Sequence, residues 1–467
     1  MTALPDKISA PTRRLSEYIA GALMRPLPDA VVEKARHHVL DTFAAMVSGS
    51  QLRPGLMAIG YVATLGGVPE ASVIGARLRT SAANAALANG MLAHADETDD
   101  SHAPSRTHPG CAVIPAALAV AERSHASGER FLRAVVLGYD VVARVNYAIG
   151  ADAFAAASRS THSVGGVFGA GAAAGVLLGL DVAQIRHLMS YCAQQASGVG
   201  CSVRDSEHIE KAFDFGGMPA RNGVTAATMA AYGFTGVDDV FYGERNFFEA
   251  YAPDPDPSRL TEALGERFEI LSTNIKKWSV GSPAQSALDA LTCLMENEKP
   301  ALSEIAAIRV HLPARSARTV DNSPMPDVNV QHLMAVLLVD GRLTFHSAHD
   351  CGRMTDQAIV DVRRKIELVP SQELMEARPR RQAIVEIALR DGRRLSHRTI
   401  AVRGTADNPM TPAEVEAKAH DLMAARLGPE RAGQLVTACR SVERSRDITE
   451  FRRFWEVSTH GQEASPA

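Results

Sequence analysis

The sequence predicts a mainly α protein with an α+β insertion: a large all-helical domain made from both ends of the chain, and a smaller α+β domain between them. Three observations carry this. From Pro28 to about Ala250, apolar residues recur at helical spacing in Ala- and Gly-rich segments. From about Ile270 the pattern changes to strand-like alternation and a hairpin. At Asn408 the helical period returns and runs to about Glu456. The expected boundaries are 1–270, 271–407 and 408–467, the last part rejoining the first. At 467 residues the chain is too long for one ordinary core, in keeping with this division.

Each element has its own signal. "PDAVVEKARHHVLDTFAAMVSG" opens at Pro28-Asp29 and stops at Gly49. "SAANAALANGMLAHA", "CAVIPAALAVAERSHASG", "GGVFGAGAAAGVLLGLD" and "RNGVTAATMAAYGFTG" follow as helices with little polar face, as expected for helices covered on most sides. Gly166, Gly169 and Gly171 do not make a dinucleotide loop, since no GxGxxG and no preceding strand are present; close helix packing is the better reading. "IAAIRVHLPA" (305–314) alternates like a strand, and 380–404 reads as a hairpin joined by the type I′ pair Asp391-Gly392. "NVQHLMAVLLVDG" and "TDQAIVDVRRKIELV" look helical, and a Gly-Ser-Pro helix start is expected at 281–283. The return helix has Thr411 as N-cap, Pro412 at its first position and Glu414 completing a capping box. The tail after Thr459 is expected to be loose.

Composition narrows the class. The formal net charge is −4, with Lys and Arg spread along the chain, so neither nucleic acid nor an anionic membrane is an expected partner. No stretch reaches the ~18 uninterrupted apolar residues of a membrane span, and the N-terminal residues do not read as a signal peptide. Six scattered cysteines without a CxxC pair suggest free thiols in a reducing, cytoplasmic setting.

The chemistry concentrates in "HADETDDSHAPSRTHPG", 94–110, where three histidines and an arginine sit among four carboxylates between apolar helices. Three readings are open: a solvated acidic loop, a metal site, or a general acid/base site with carboxylates tuning histidines. The spacing of His94, His102 and His108 puts no two imidazoles on one helical face, which counts against metal. In "SEHIEKAFDFGGMPARNG", Lys211 beside the Gly216-Gly217 turn and Arg221 could hold a carboxylate or phosphate, or Lys211 could merely pair with Glu207. Lys276, Lys277 and Trp278 precede the expected helix start, another plausible anion site or else a solvated pair. His162 lies at the head of the Gly-rich helix. With no nucleotide loop and no nucleophile elbow, this set suits a cofactor-free reaction on a small, multiply negative substrate.

The order of these segments resembles the MmgE/PrpD family, which includes 2-methylcitrate dehydratase, cis-aconitate decarboxylase and iminodisuccinate epimerase. The resemblance runs from about Leu15 to Glu456 and implies a helical domain with an α+β lid, a homodimer, and no cofactor or metal. It implies that "HADETDDSH" stands for an acidic HALDFDDTH-type motif, with Glu97 at its first Asp, Asp99 and Asp100 at its acidic pair and Ser101 in place of Thr. It places His108 at the family's HP histidine, a catalytic residue in its decarboxylases, Lys211 at a K-x-L-H-x-G lysine and Lys276 at a K-x-[YF]-P lysine. Asp214 stands where a histidine is common in that motif, Gly281 stands where decarboxylases have a histidine, Ser160 takes a usual histidine position with His162 two residues on, and His332 falls near a decarboxylase tyrosine.

The expected activity is therefore a hydro-lyase acting on a small di- or tricarboxylate such as a 2-methylcitrate-like acid. His108, Asp99, Asp100, His102 and Lys211 are the expected catalytic set. Lys276, Arg106, Glu97, Ser101, Ser160, His162 and His332 are expected to bind substrate. An epimerase, racemase or decarboxylase, or a non-catalytic carboxylate-binding protein on the same scaffold, are the alternatives.

Overall fold

The structure is a computed structural model that describes residues 8–456; the tail expected to be loose after Thr459 lies outside the described residues. The chain forms two compact units: one holds the described residues through Thr273 and from Leu422 onward, the other Asn274–Asp421. The fold is mainly helical with two small sheets. The second division falls inside the helix Pro412–Leu427, later than the expected boundary at 408, because the helix that begins at Pro412 continues unbroken across it.

In the first unit the helix Thr161–Leu177 is buried along almost its entire length. The helices Gly128–Ala148 and Met218–Tyr232 pack on it. Its lack of a polar face follows from being covered on all sides, and the glycines carry the packing: a Cβ on Gly169 would lie 2.6 Å from the Gly138 carbonyl oxygen. The region is not purely helical as expected. Strands β1 (Ala71–Val73) and β2 (Leu78–Thr80) form a short antiparallel hairpin. Three-residue strands carry too little periodicity to be read in advance.

Buried Glu122, at the end of the helix Gly110–Arg123, ties this hairpin to the short helix Arg452–Trp455. It accepts from the Ser72 backbone N–H at 2.5 Å and hydroxyl at 2.8 Å, and from Arg452 Nε at 2.9 Å. Trp455 packs edge-on against Phe43 at 5.3 Å. Gly128 fixes a second tie: its N–H donates to Ser445 O at 2.9 Å, and a Cβ there would lie 1.7 Å from the Val442 carbonyl oxygen. Gly128→Ala should therefore force the C-terminal segment off the helix start, destabilising by about 2–4 kcal/mol. A urea midpoint unchanged from wild type would refute that.

The second unit is an α+β layer. Its sheet has the order β4-β3-β5-β6, with β3 (Ile305–Pro313) parallel to β4 (Ile366–Ser371) and antiparallel to β5 (Ala383–Leu389), which pairs with β6 (Arg394–Thr399). Ala383, Val385, Ile387 and Leu389 alternate onto the buried face. They share a core with Leu288 and Leu291 of the helix Gln285–Asn297 and Leu333 and Met334 of the helix Val330–Asp340.

Three expectations change here. The segment 355–369 is helical only over Gln357–Arg363; its β-branched remainder becomes β4, because β3 offers it a parallel ladder of backbone partners. The hairpin turn is not type I′: of the Asp391-Gly392 pair only Gly392 has positive φ (91°). Gly392 N donates to Leu389 O and Leu389 N to Arg393 O, the pattern of a three-residue loop with glycine in the left-handed position. The helix expected from 281–283 starts at Gln285, whose side chain donates to the Trp278 and Val280 carbonyls and so ties down the bent segment before it. The capping box at Thr411 and Glu414 forms as expected, with Glu414 N donating to Thr411 Oγ1 at 3.3 Å and Thr411 N to Glu414 at 2.8 Å.

Candidate active site

The segment 94–102 carries a high density of charge and is nearly sealed. His94, Thr98, Asp99 and Asp100 have no exposed surface, and Asp96, Glu97, Ser101 and His102 are buried as well. That removes the solvated-loop reading. Buried charges persist only where each has partners, and the partners divide the segment into two halves.

Asp99 is a bridge between two imidazoles. Its Oδ2 accepts from His94 Nδ1 at 2.9 Å and its Oδ1 from His108 Nδ1 at 3.0 Å. The carboxylate holds the proton on both Nδ1 atoms, which makes Nε2 the basic nitrogen of each ring. His108 is half-buried, at the edge of the cluster.

Asp100, next in sequence, faces elsewhere. It accepts from His38 Nδ1 at 2.9 Å, Tyr139 Oη at 2.5 Å and the Gly110 backbone N–H at 3.0 Å. The last bond anchors the N-terminus of the Gly110–Arg123 helix, where negative charge is favourable. Burial pushes the His38 imidazole below its ordinary value against the pull of Asp100, and pushes the Tyr139 hydroxyl well up. The acidic pair thus separates into one carboxylate that orients site histidines and one that holds scaffold.

Lys211 closes the other side. It forms an ion pair with Glu97 rather than with Glu207, which pairs with Arg53. Its ammonium lies 5.3 Å from the Phe215 ring centre. Gly216-Gly217 is not a loop that could cradle an anion; Phe213–Gly217 is a single π-helical turn. A Cβ on Gly216 would sit 2.1 Å from the Gly90 carbonyl oxygen, so these glycines admit the helix Ala82–Ala93 at backbone contact. The widened turn brings Phe215 among the histidines: His94 stacks on it at 4.4 Å and His162 at 3.5 Å, with His108 tilted at 5.6 Å.

His162 lies in the first turn of the Thr161–Leu177 helix, and its Nδ1 is buried with no hydrogen-bond partner. Burial holds it well below the ordinary imidazole value, and the charges of His108, His94 and Lys211 push it further. Ser160 caps that helix and donates to Asp214 Oδ2 at 2.8 Å; Ser202 donates to the same oxygen at 2.9 Å. Burial nevertheless raises the Asp214 carboxyl.

The other expected residues have partners of their own or are simply buried. His102 bonds Ser105 Oγ at 2.7 Å and lies 3.4 Å from Glu269. Burial alone would raise Glu269, but His102 and Arg267 beside it bring it down to about 2. Arg106 has a left-handed backbone (φ 52°) and points to Asp152 at 2.8 Å, on an exposed pair. Ser101 is buried. Lys276 and His332 belong to the α+β unit: Lys276 is buried, and His332 is fully buried with neither ring nitrogen hydrogen-bonded to protein. Burial, then the charges of Arg363 and Arg353, bring His332 down to about 4.

Residues 13–260 match the MmgE/PrpD N-terminal domain, and residues 278–442 match the MmgE/PrpD C-terminal domain. The chain belongs to the MmgE/PrpD family. It is 26% identical over 475 residues to the cis-aconitate decarboxylase-like protein oryM of Aspergillus oryzae, covering 94% of this chain and 96% of that protein. In this MmgE/PrpD chain two groups that the expected catalytic and binding sets omit also enter the cluster: His94, which shares Asp99 with His108, and His208, whose ring lies 5.1 Å from that of His94. His94 was visible as the first residue of the acidic motif. Nothing in the spacing ties His208 to it, because the two are joined only through the fold. Among the described residues, two trios offer ligand atoms within 4.8 Å of one another: His94, Glu97 and His208, and His94, Asp99 and Cys111.

Among the described residues no helix is long and apolar enough to cross a membrane, and no two cysteines are joined in a disulfide.

Proposed function

We propose that this MmgE/PrpD chain is a lyase that removes a proton next to a carboxylate of a small di- or tricarboxylate and eliminates water from the neighbouring carbon. The observation that carries the reading is the Asp99 bridge: one buried carboxylate orients both His94 and His108 through Nδ1. A carboxylate–imidazole pair of this kind is a general base, and its imidazolium returns the proton as a general acid. Lys211 supplies the cation at the same cluster, where a carboxylate of the substrate can exchange with Glu97. Lys276 is proposed as a second carboxylate holder, on the family resemblance alone. The expected substrate-binding roles of Ser101, Ser160 and Arg106 remain proposals too; Arg106 and His102 rank lowest, since both are committed to partners outside the cluster.

The name of the relative favours decarboxylation as a second reading. Against it, Gly281 stands where the family's decarboxylases have a histidine. The discriminating experiment incubates the protein with a panel of 2-hydroxy di- and tricarboxylates and their unsaturated counterparts in D₂O, followed by NMR. The expected result is an alkene product together with solvent deuterium at the carbon next to the carboxylate. Exchange without elimination would mean an epimerase, and loss of CO₂ a decarboxylase. A homodimer in a reducing compartment belongs to the same proposal, and sedimentation velocity reads the oligomeric state.

A further inference from the structure

The geometry points to a divalent transition-metal site formed by His94, Glu97 and His208 in the helical unit. This goes beyond the proton-transfer reading, which needs no ion and which, with His94 Nε2 ligated, has His108 as its base. The three groups come from three places: the C-cap of the Ala82–Ala93 helix, the loop that follows, and the residue ahead of the Ile209–Ala212 turn. The irregular spacing of histidines along 94–108 therefore says nothing against metal, since the second imidazole comes from over a hundred residues away. One ligand atom from each group lies within 4.8 Å of the other two, so a small closure suffices to surround an ion.

Two further observations point to a ligand there. First, His94 Nε2 and His208 Nε2 are both buried without a hydrogen-bond partner, in residues that are 0% and 5% exposed. A buried polar nitrogen left unmatched costs about 1–3 kcal/mol, and two in one small volume suggest a shared occupant. Second, the outer contact that metal-binding histidines require is in place: His94 Nδ1 donates to Asp99, fixing the ring and making Nε2 the coordinating atom. His208 reaches the cluster from a left-handed backbone (φ 61°), a conformation that costs a non-glycine residue roughly 1–2 kcal/mol.

Two neutral imidazoles and a carboxylate match Zn²⁺, Co²⁺ or Fe²⁺ rather than Mg²⁺ or Ca²⁺, which take oxygen ligands. Three protein ligands leave a fourth position open for water or a substrate oxygen. The alternative trio of His94, Asp99 and Cys111 is weaker, because both Asp99 oxygens already accept from histidines. Lys211 competes for the site: its ammonium pairs with Glu97, so an ion entering there must displace it.

The test uses metal and no substrate, so its failure would leave the proton-transfer reading standing, and the reverse. Full-length protein stripped with chelator is titrated with Co²⁺ and with Zn²⁺ by visible absorption and equilibrium dialysis. One equivalent per chain, with ligand-field bands of a four- or five-coordinate site, is expected. His208→Phe and Glu97→Gln, checked for native circular dichroism, should each abolish that equivalent. Lys211→Met should bind about ten-fold more tightly, since a competing cation is removed. Absence of Co²⁺ bands in both wild type and Lys211→Met overturns the proposal. So does an equivalent that survives His208→Phe in folded protein.

Discussion

His108→Gln should lower turnover by about 10²–10⁴-fold with little change in thermal stability. The side chain is half-buried, and its partner Asp99 keeps a second donor in His94 when the imidazole is removed, so the fold loses little. Glutamine can still offer a hydrogen bond toward Asp99 but cannot take a proton. The effect belongs to kcat, and the acidic limb of the pH–rate profile should change with it. The measurement is turnover on whichever panel acid the D₂O experiment identifies, beside a melting curve. Turnover within a factor of three of wild type, in protein of normal melting behaviour, would remove His108 from the mechanism.

Asp100→Ala should act on stability instead, by about 3–5 kcal/mol, a large part of the roughly 5–15 kcal/mol that holds a folded protein together. The substitution leaves three donors without their acceptor in a sealed interior: the His38 imidazole, the Tyr139 hydroxyl and the Gly110 N–H. It also removes the negative charge at the N-terminus of the helix that starts two residues after His108. Asp100→Asn keeps the volume and one carbonyl acceptor, so it should cost less. Urea unfolding of both variants settles the order. If Asp100→Ala unfolds at the wild-type midpoint but loses turnover, Asp100 belongs with the proton-transfer groups after all.

The contrast between these neighbours shows where the sequence is legible. "DD" identifies two acids in an important loop, and the resemblance raises both together. Their roles divide by partner: His38 and Tyr139, distant in the chain, claim Asp100, while His94 and His108 of the same segment claim Asp99. The long helices were readable because their periodicity is local, and so was the capping box at Thr411 and Glu414. Strand β4 was not, because its pairing with β3 is what makes it a strand. Glycines 216 and 217 look like a turn in the sequence and prove to be a contact surface, since only the fold shows that another helix backbone lies 2.1 Å from where a side chain would start. His208 escaped altogether, and the partners of Asp100 did too, because in both cases the neighbours are spatial.

The order in which the chain leaves the ribosome has a consequence here. The α+β unit, Asn274–Asp421, is one uninterrupted stretch and can close on itself as it emerges. The helical unit must wait: Arg452 for Glu122, Trp455 for Phe43, and the Val442–Ser445 backbone for Gly128 are made only after the whole α+β unit. Until then a large apolar helix bundle stands open on one side, in want of a shelter such as a chaperone. A chain that stopped after Asp421 would leave it so for good.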